Sequence, residues 1–427
     1  MRILVVGSGG REHAITWKLK QNPDIERIFI APGNGGTNSL GENINLKEND
    51  ISSLTDFALK NSIDLVIPGP ELPLTLGITD AMTAAGVKCF GPTAACARLE
   101  GSKAFAKEIM QAARVPTAAS GVFTKKDDAL KFIRQTGLPI VIKADGLAAG
   151  KGVIIAQTQA EANTALDQML TQKLFGPAGQ TVLLEEFLQG EEVSLLCFCD
   201  GECAIPLPSA QDHKAIFDGD QGPNTGVMGA YSPAPIMPPD QLEAMTDLTV
   251  RPIIKEMSRR GTPFTGILYA GLMITPQGPK VLEYNVRFGD PECQPLMMRL
   301  ESDLADLMLA CIKGDLQNKK IAIRQEAAVG VVLSAAGYPG AYSKGMSVTG
   351  LEKAEALGAV KVFLAGTGRN SEGYFSSGGR VLCVTALGHD LPAARNLAYL
   401  AIKEIHMDSS HYRTDIGQKG LKFIKKD

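Results

Sequence analysis

A row of polar side chains near residue 285 could hold a metal cation beside phosphate oxygens. The stretch from Val281 to Gln294 begins as a predicted strand, because strand-forming residues follow a Pro-Gly turn. Side chains two residues apart on a strand point to the same face, so Glu283, Asn285 and Arg287 line up together. A carboxylate, an amide oxygen and a guanidinium in one row suit a hard cation and phosphate. The alternative interpretation is the polar face of a half-exposed strand.

The length and composition indicate a multidomain enzyme. At 427 residues the chain exceeds what one hydrophobic core usually supports. Apolar residues make up 44% and charged residues 21% of the chain, as in ordinary globular enzymes. The formal net charge of −3 argues against a general nucleic-acid binder. We expect an N-terminal domain at 1–101, a central domain at 102–325 with a small lid at 117–190, and a C-terminal domain at 326–427.

The cysteines and the N-terminal residues indicate a cytoplasmic protein. The eight cysteines are scattered without zinc-type pairing, so we interpret them as buried, reduced thiols. The apolar run Ile3–Val6 is too short for a signal peptide or a membrane span, and no membrane partner is expected.

The first hundred residues predict a doubly wound parallel sheet, because short apolar strands alternate with helical patterns and end in Gly/Pro loops. The glycine loop after the first strand fails the dinucleotide fingerprint, since Glu12 occupies the third glycine position. What remains is Gly9, Gly10 and Arg11 at a helix N-terminus, a site for one phosphate. Glu71 follows another strand at the same sheet edge. Phosphosugar binding is the preferred interpretation, and a structural tight turn is the alternative.

Two lysines flank a glycine-rich loop in the middle of the chain. Lys103 begins a predicted helix capped by Ser102, and Lys143 ends a predicted strand. The loop from Ala144 to Gly152 leads into another strand, which excludes a Walker-type phosphate loop. We predict a flap whose backbone N–H groups fold over phosphates, although a plain hairpin is an open alternative. The flap residues proposed to contact the nucleotide are Gly150, Lys151 and Gly152.

Two further segments carry candidate ligands. The strand ending at Glu185 to Leu188 could offer backbone groups to an adenine ring, with carboxylates for ribose hydroxyls. The segment from Gln211 to Gly229 has little apolar periodicity and is predicted to be a long, functional loop. Its Asp212, Lys214 and Asn224 could bind a small zwitterion, and its histidine has too few companions for a metal site.

The C-terminal segment predicts a small α/β module without a catalytic constellation of its own. Strands are expected at 327–334, 361–365 and 378–385, followed by an amphipathic helix at 391–405. Plain structural support is the favoured role. The alternative is that loops near Tyr338 and at 376–380 close over the active site.

Taken in order, both lysines, the glycine flap, the Glu185 hinge and the Glu283/Asn285 pair resemble the ATP-grasp superfamily. Within it, four motifs resemble the glycinamide ribonucleotide synthetase family over essentially the full chain. The last motif is the most specific of the four, whereas single glycine loops are weak signals. The motifs are Gly7–His13, Gln211–Lys214, Gly222–Gly226 and Arg287–Gln294.

The resemblance implies an ATP-grasp fold and an ATP-dependent ligase. Its substrates would be ATP, glycine and 5-phosphoribosylamine, joined through a glycyl phosphate in the second step of purine synthesis. Magnesium, or manganese, would rest on Glu283 and Asn285. The implied catalytic residues are Arg287, Asp290 and Lys143; the nucleotide side is Lys103, Lys143, Gly150, Lys151, Gly152, Glu185, Glu186, Leu188 and Glu192; the substrate side is Gly9, Gly10, Arg11, Glu71, Asp212, Lys214 and Asn224.

The chain departs from the family pattern at two places. Val227 stands where the family usually has glycine, and we expect a modest backbone adjustment there if the position requires a positive φ. The strand Tyr269–Met273 lacks a further acid, which leaves the number of bound metal ions open. An ATP-grasp carboxylase for an aminoimidazole ribonucleotide and a non-catalytic nucleotide-binding protein are the alternatives. A monomer is expected, with transient contact to the preceding pathway enzyme.

Overall fold

The N-terminal residues form a parallel sheet, as the alternating pattern predicts. The computed structural model describes residues 1–147, 152–174 and 176–424. The first elements are β1 Arg2–Gly7, α1 Gly10–Leu19, β2 Arg27–Pro32, β3 Glu42–Asn43, α2 Ile51–Lys60, β4 Leu65–Pro68, α3 Glu71–Thr75, α4 Ile78–Ala84, β5 Lys88–Cys89 and α5 Ala94–Gly101. The strand order is β3-β2-β1-β4-β5, with parallel neighbours throughout. The loops after β1 and β4 therefore meet at one sheet edge.

A second, antiparallel sheet follows with a core of its own. Its elements are α6 Lys103–Ala112, β6 Ser120–Phe123, α7 Lys126–Thr136, β7 Ile140–Ala144, β8 Val153–Ala156, α8 Gln159–Leu166 and β9 Val182–Glu186. The order is β6-β9-β7-β8, and residues such as Ile133, Ile142 and Leu184 are buried between this sheet and its helices. Because β7 pairs antiparallel with β8, the predicted strand–loop–strand is confirmed. The predicted Ser102 cap is also present, since its side chain accepts from Phe105 N.

The central sheet carries the predicted polar row on an edge strand. The elements of this part of the chain are β10 Glu191–Asp200, β11 Ala204–Pro206, β12 Gln211–Asp212, β13 Ala215–Phe217, β14 Gln221–Asn224, β15 Gly229–Ser232, α9 Leu242–Thr249, α10 Arg251–Arg259, β16 Thr265–Thr275, β17 Gly278–Asn285, α11 Cys293–Arg299 and α12 Leu304–Lys313, of which β10, β11, β16 and β17 form the central sheet. The order is β11-β10-β16-β17. A bulge leaves Leu282 without a partner, because Val281 pairs with Leu272 and Glu283 with Gly271.

The predicted long loop at 211–229 is wrong as a description of the backbone. It contains a hairpin of β13 with β14, and two of its strands belong to a sheet. The strands β13 and β14 pair with each other, and β15 pairs with the distant strand β18. Such short strands are too brief to show an apolar alternation in the sequence.

The last sheet combines C-terminal strands with two from the centre. The remaining elements are β18 Ala327–Ala335, β19 Ser347–Val348, α13 Leu351–Glu355, β20 Val360–Leu364, β21 Thr367–Asn370, β22 Gly373–Ser376, β23 Arg380–Gly388, α14 Leu391–Lys403, β24 Ser410–His411 and α15 Gln418–Leu421. The order β12-β15-β18-β23-β20 joins segments on both sides of residue 326. The three predicted strands and the helix are confirmed with shifted ends, whereas the small sheet β19-β22-β21 was not predicted.

The cysteines and helices agree with the composition. All eight cysteines lie within the described ranges and are free, and seven are buried. Burial raises the pKa of the Cys89 thiol to about 12, which keeps it protonated and unreactive. Among the helices that the structure describes, none is long and apolar enough to cross a membrane.

Candidate active site

The edge strand β17 presents Glu283 and Asn285 on one face. Tyr284 between them points into the core, where its hydroxyl donates to Thr249 O. Burial works to raise the pKa of the Glu283 carboxyl, but Lys214, Lys143 and Lys103 together hold this pKa below its ordinary value. Glu283 is therefore an anion surrounded by cations. The predicted row is confirmed for these two residues on the strand.

The predicted lysines lie beside this carboxylate. Lys103, the first residue of α6, donates from Nζ to Gly146 O at 3.3 Å, and burial lowers its pKa. Lys143 on β7 donates to Leu282 O, the bulged residue of β17, at 3.4 Å. Both ammonium groups act on Glu283 of β17, since each helps to lower the pKa of its carboxyl group.

Glu185 binds two lysines rather than facing an open ribose pocket. Its Oε2 pairs with Lys143 Nζ and its Oε1 with Lys107 Nζ. All three side chains are buried. In this arrangement Glu185 positions Lys143, and its predicted contact with ribose stays a prediction. Lys107 was missed by the sequence analysis, although its position four residues after Lys103 on the same helix face was a usable signal.

The other nucleotide candidates lie around β9 and β10. Glu186 accepts from Ala119 N at 3.1 Å and pairs with Lys280 at 2.6 Å. Leu188 follows β9, and Glu192 lies on β10. Gly152 closes the hairpin, because its carbonyl accepts from Ala144 N at 2.8 Å. Gly150 and Lys151, the other predicted flap residues, lie outside the described residues.

Lys214 links the polar segment to the nucleotide side. Its Nζ pairs with Glu192 and lies 4.0 Å from Asp212 Oδ2. Burial raises the pKa of Asp212 to about 7 against the opposing charge of Lys214, while Glu292 and Glu192 raise it further. We name Lys103, Lys143, Glu185, Lys214 and Glu283, with their direct partners, the nucleotide cluster.

Two residues of the polar segment stand apart from this cluster. The Asn224 side chain is exposed on β14 and makes no hydrogen bond to any residue that the structure describes, although its backbone pairs with Ala215, next to Lys214. His213 is fully buried, and neither ring nitrogen has a partner within the described ranges. Burial lowers the pKa of His213 to about 3, so its ring is neutral. In the described part of the chain, no group of three or more His, Cys, Asp or Glu could hold a metal.

Arg287 connects the polar row on β17 to helices α3 and α5 of the N-terminal segment. β17 ends at Asn285, so Arg287 lies just beyond the predicted strand row, with Nη2 3.4 Å from Asn285 Oδ1. The same guanidinium pairs with Glu100 at 2.6 Å and with Glu71 at 3.5 Å. Burial works to raise the pKa of Glu71, but Arg287 and Arg11 hold it below its ordinary value. Glu100 on α5 was not predicted, because nothing in its local sequence distinguishes it.

The turn at Asp290 packs directly on the glycine loop. A Cβ on Gly9 would lie 2.9 Å from Asp290 Oδ2, and one on Gly10 would lie 2.6 Å from Gln294 Nε2. These distances exclude any larger residue without movement, which explains both glycines. Arg11 is buried and donates to Glu12 Oε1 at 2.6 Å and Phe288 O at 3.0 Å. Arg11 therefore anchors this loop, and its predicted contact with a phosphate stays a prediction.

A cavity of about 610 Å³ opens beside Asp290 and the glycine loop, and we name it the substrate cleft. Asn34 holds one wall, since its Nδ2 donates to Ser8 O at 2.9 Å and Leu364 O at 2.8 Å. The C-terminal segment supplies the other wall. The lining residues are Ser8, Gly9, Pro32, Gly33, Asn34, Gly35, Asn38, Asn43, Asp290, Tyr338, Ala365, Gly366, Thr367, Gly368, Arg369, Ser377, Gly378 and Arg380. The C-terminal loops therefore favour the alternative interpretation, in which they adjoin the site, and plain support stays a prediction.

Val227 does not adjust its backbone in the way that the sequence analysis expected. It adopts φ +79°, a conformation that costs a β-branched residue roughly 1–3 kcal/mol. Thr225 Oγ1 accepts from Val227 N at 2.9 Å, so the strained peptide is held by its neighbours.

The family comparison places the protein, with its lysine-lined strand end, in the ATP-grasp class. A family model for the phosphoribosylglycinamide synthetase ATP-grasp (A) domain matches residues 101–293. The biotin carboxylase domain of Hydrogenobacter thermophilus 2-oxoglutarate carboxylase, solved with MgADP and bicarbonate, has a TM-score of 0.75 over 100% of this chain and 99% of that chain. At 16% identity it shows the fold alone.

The remaining comparisons identify the family. The N and C domain models of phosphoribosylglycinamide synthetase match residues 1–100 and 328–419. Phosphoribosylamine–glycine ligases of Vibrio parahaemolyticus and Escherichia coli K12 are 50% and 49% identical, over 99% of this chain and 99% of each relative. The Thermotoga maritima phosphoribosylamine–glycine ligase structure has a TM-score of 0.86 at 32% identity, covering 97% of this chain and 100% of that chain. The chain belongs to the phosphoribosylglycinamide synthetase family, as its motifs predicted.

Proposed function

We propose that the protein is an ATP-dependent carbon–nitrogen ligase that joins glycine to 5-phosphoribosylamine, giving glycinamide ribonucleotide, ADP and phosphate. The observation that carries this proposal is the ionised Glu283, whose pKa Lys214, Lys143 and Lys103 hold below its ordinary value. It lies on the same strand face as Asn285, which Arg287 contacts. Family membership along the full chain supports the substrates. The carboxylase alternative loses support, since its structural relatives share the fold at 16% identity only.

The donor set at the end of β17 fits a hard divalent cation. Glu283 and Asn285 offer one anionic and one neutral oxygen from the same strand face, which suits magnesium, or manganese, with waters and phosphate oxygens completing the shell. When bound, such a cation neutralises phosphate charge and orients the transferring phosphoryl group. Lys103 and Lys143 would neutralise the remaining charge, and Arg287, beside Asn285, would stabilise the charge that develops during transfer.

The proposed chemistry has two steps. The glycine carboxylate attacks the γ-phosphorus of ATP, which forms glycyl phosphate and releases ADP. The amine of 5-phosphoribosylamine then attacks the acyl carbon, loses a proton and expels phosphate. Asp212 and Lys214 would orient glycine near the nucleotide cluster, while Gly9, Gly10 and Asp290 would hold the phosphoribosyl side. Such positioning can supply much of the rate enhancement of a two-substrate reaction.

A single chain provides every group that the proposal uses. The substrate cleft is lined by residues of the N-terminal and C-terminal segments and by Asp290 of the centre. A monomer is therefore sufficient for catalysis. We extend the proposal to transient contact with the enzyme that supplies 5-phosphoribosylamine, because that amine is labile.

The decisive measurement is ADP release from ATP and glycine, with and without freshly generated 5-phosphoribosylamine. We expect full turnover only with all three substrates. Glu283→Ala should lower kcat by about 10²–10³-fold, since it removes the anionic ligand at the phosphoryl-transfer centre. The matched control is Glu372→Ala on the exposed β21–β22 turn, which should leave turnover unchanged. Glycine-independent ADP release, or full activity of Glu283→Ala, would reject the proposal.

A further inference from the structure

We propose that Arg380 is a positioning residue that sets the spacing between the two substrates of the ligase, an inference that rests on the proposed function. Arg380 begins β23 and reaches two separate segments. Its Nη1 donates to Gly226 O and lies 2.5 Å from Asp290 O and 3.4 Å from Val227 O. Its Nη2 lies 3.4 Å from the Asp290 carboxylate. One guanidinium therefore bridges the 226–227 loop and the Asp290 turn.

The 226–227 loop needs contacts from outside the loop to stabilise its backbone conformation. Val227 has φ +79°, which a branched L-residue does not adopt unaided. The Tyr338 hydroxyl accepts from Gly226 N at 2.8 Å, and Thr225 Oγ1 accepts from Val227 N at 2.9 Å. Arg380 binds the carbonyl side of the same two residues. Removal of the guanidinium would leave these carbonyls without a charged partner, so the loop could relax to negative φ.

The 226–227 loop determines where the candidate glycine-binding residues lie. Thr225 N and Thr225 Oγ1 both donate to Lys214 O at 2.8 Å. Met228 N donates to His213 O at 2.8 Å, and His213 N donates to Gly229 O at 3.0 Å. Because these bonds join the two backbones on both sides of Val227, a relaxed loop would displace the segment that carries Asp212 and Lys214.

The second segment belongs to the phosphoribosyl side. Burial works to raise the pKa of the Asp290 carboxyl, yet Arg380 is the strongest of the charges that hold it below its ordinary value. Asp290 also accepts from Gln294 Nε2 at 2.7 Å and packs against Gly9. Arg380 thus connects the 226–227 loop, next to the candidate glycine-binding residues, to the Asp290 turn, next to the candidate phosphoribosyl-binding loop. A change of about 1 Å in such spacing can lower the rate of a two-substrate step by about 10²-fold.

The test is a double-mutant cycle of Arg380→Gln and Val227→Gly, with kcat and both KM values measured for each protein. Arg380→Gln should lower kcat/KM for glycine by about tenfold or more and leave ADP affinity within about twofold. Glycine tolerates φ +79° without support, so adding Val227→Gly should recover at least about threefold of that loss. The matched control is Arg251→Gln, whose guanidinium binds Ala204 O, Glu243 and Asp247 outside the cleft.

Three outcomes would overturn the inference: kcat/KM for glycine unchanged in Arg380→Gln, ADP affinity falling in the same proportion, or strictly additive effects in the cycle. If Arg380→Gln does not fold, Arg380→Lys serves in its place, because one ammonium can reach either segment but has no fork to bridge both. Its effect should be smaller and should also respond to Val227→Gly. Turnover of the wild-type protein with glycine tests the proposed ligase activity. If the wild type is active but the two substitutions have additive effects, only the bridging role of Arg380 is rejected.

Discussion

The nucleotide cluster and the substrate cleft lie side by side but are built in different ways. The cluster consists of charged side chains on regular elements, where Lys143 and Lys107 converge on Glu185. The cleft consists largely of glycines, backbone groups and loops from opposite ends of the chain. Arg287 acts on both, since it lies beside Asn285 and helps to lower the pKa of Asp290, which lines the cleft.

The difference follows from what each region would bind. Long lysine side chains can reach a triphosphate from several backbone positions, so the cluster depends on charge more than on close backbone approach. A small phosphosugar needs close backbone contact, and the cleft achieves it with residues that lack side chains, such as Gly9 and Gly10. Substitutions in the cluster should therefore act mainly on kcat, and substitutions in the cleft mainly on one KM.

The largest effect is expected in the nucleotide cluster. Lys143→Met removes a cation from the phosphoryl-transfer centre and leaves Glu185 with Lys107 as its remaining lysine partner. We expect kcat to fall by about 10²–10³-fold with a smaller change in KM for 5-phosphoribosylamine. Steady-state kinetics with each substrate varied would measure both.

A matched lysine gives the control for this substitution. Lys131→Met lies on the exposed face of α7, where Lys131 pairs with Asp128 at 3.0 Å. This variant should keep wild-type kinetics, since exposed pairs of this kind contribute little. A comparable loss of kcat in both variants would mean that the lid fold, rather than the charge at Lys143, had been disturbed.

A smaller effect, on the other side of the comparison, is expected from Gly10→Ala. The new methyl would lie 2.6 Å from Gln294 Nε2, so either the Gln294 side chain, which donates to Asp290 Oδ1, or the glycine loop must move. We expect KM for 5-phosphoribosylamine to rise about tenfold while ADP affinity stays unchanged. Titration with ADP supplies the internal control. A loss of ADP affinity would show that the two regions are less independent than their structures indicate.

The smallest effect is expected in the pH dependence of KM for glycine, through Asp212, which contacts Lys214 of the nucleotide cluster. Burial raises the pKa of Asp212 to about 7, with Lys214 and Lys419 opposing and Glu292 and Glu192 adding to the shift. As the pH falls through this value the carboxylate takes up a proton and can no longer attract the glycine ammonium group. KM for glycine should therefore rise by up to about tenfold from pH 8 to pH 6.

An isosteric variant tests the assignment of that titration. Asp212→Asn cannot ionise, so KM for glycine should be raised at pH 8 and nearly constant down to pH 6. The wild-type slope persisting in Asp212→Asn would assign the pH dependence to another group. Parallel measurements of KM for ATP would separate this effect from titration of the nucleotide.

The sequence by itself determined the parallel N-terminal sheet, the strand carrying Glu283 and Asn285, the helix that begins at Lys103 and the strand that carries Lys143. Local rules suffice for these features, because strand alternation and helix starts depend on neighbours in the chain. Motif resemblance added the family. The sequence also indicated that position 227 could require a positive φ, and a backbone adjustment was expected for its valine. In the structure Val227 adopts the positive φ itself.

Only the tertiary structure decided the partners of these residues. Arg380 contacts Asp290 at a sequence separation of 90 residues, and Arg287 contacts Glu100 at a separation of 187. Local periodicity in the sequence cannot predict contacts between residues so far apart. The same holds for β12 and β15, which join the C-terminal sheet through long-range pairing although their segment reads as a loop. Side-chain chemistry follows residue type, but a cleft formed by three distant segments follows from how the sheets pack together.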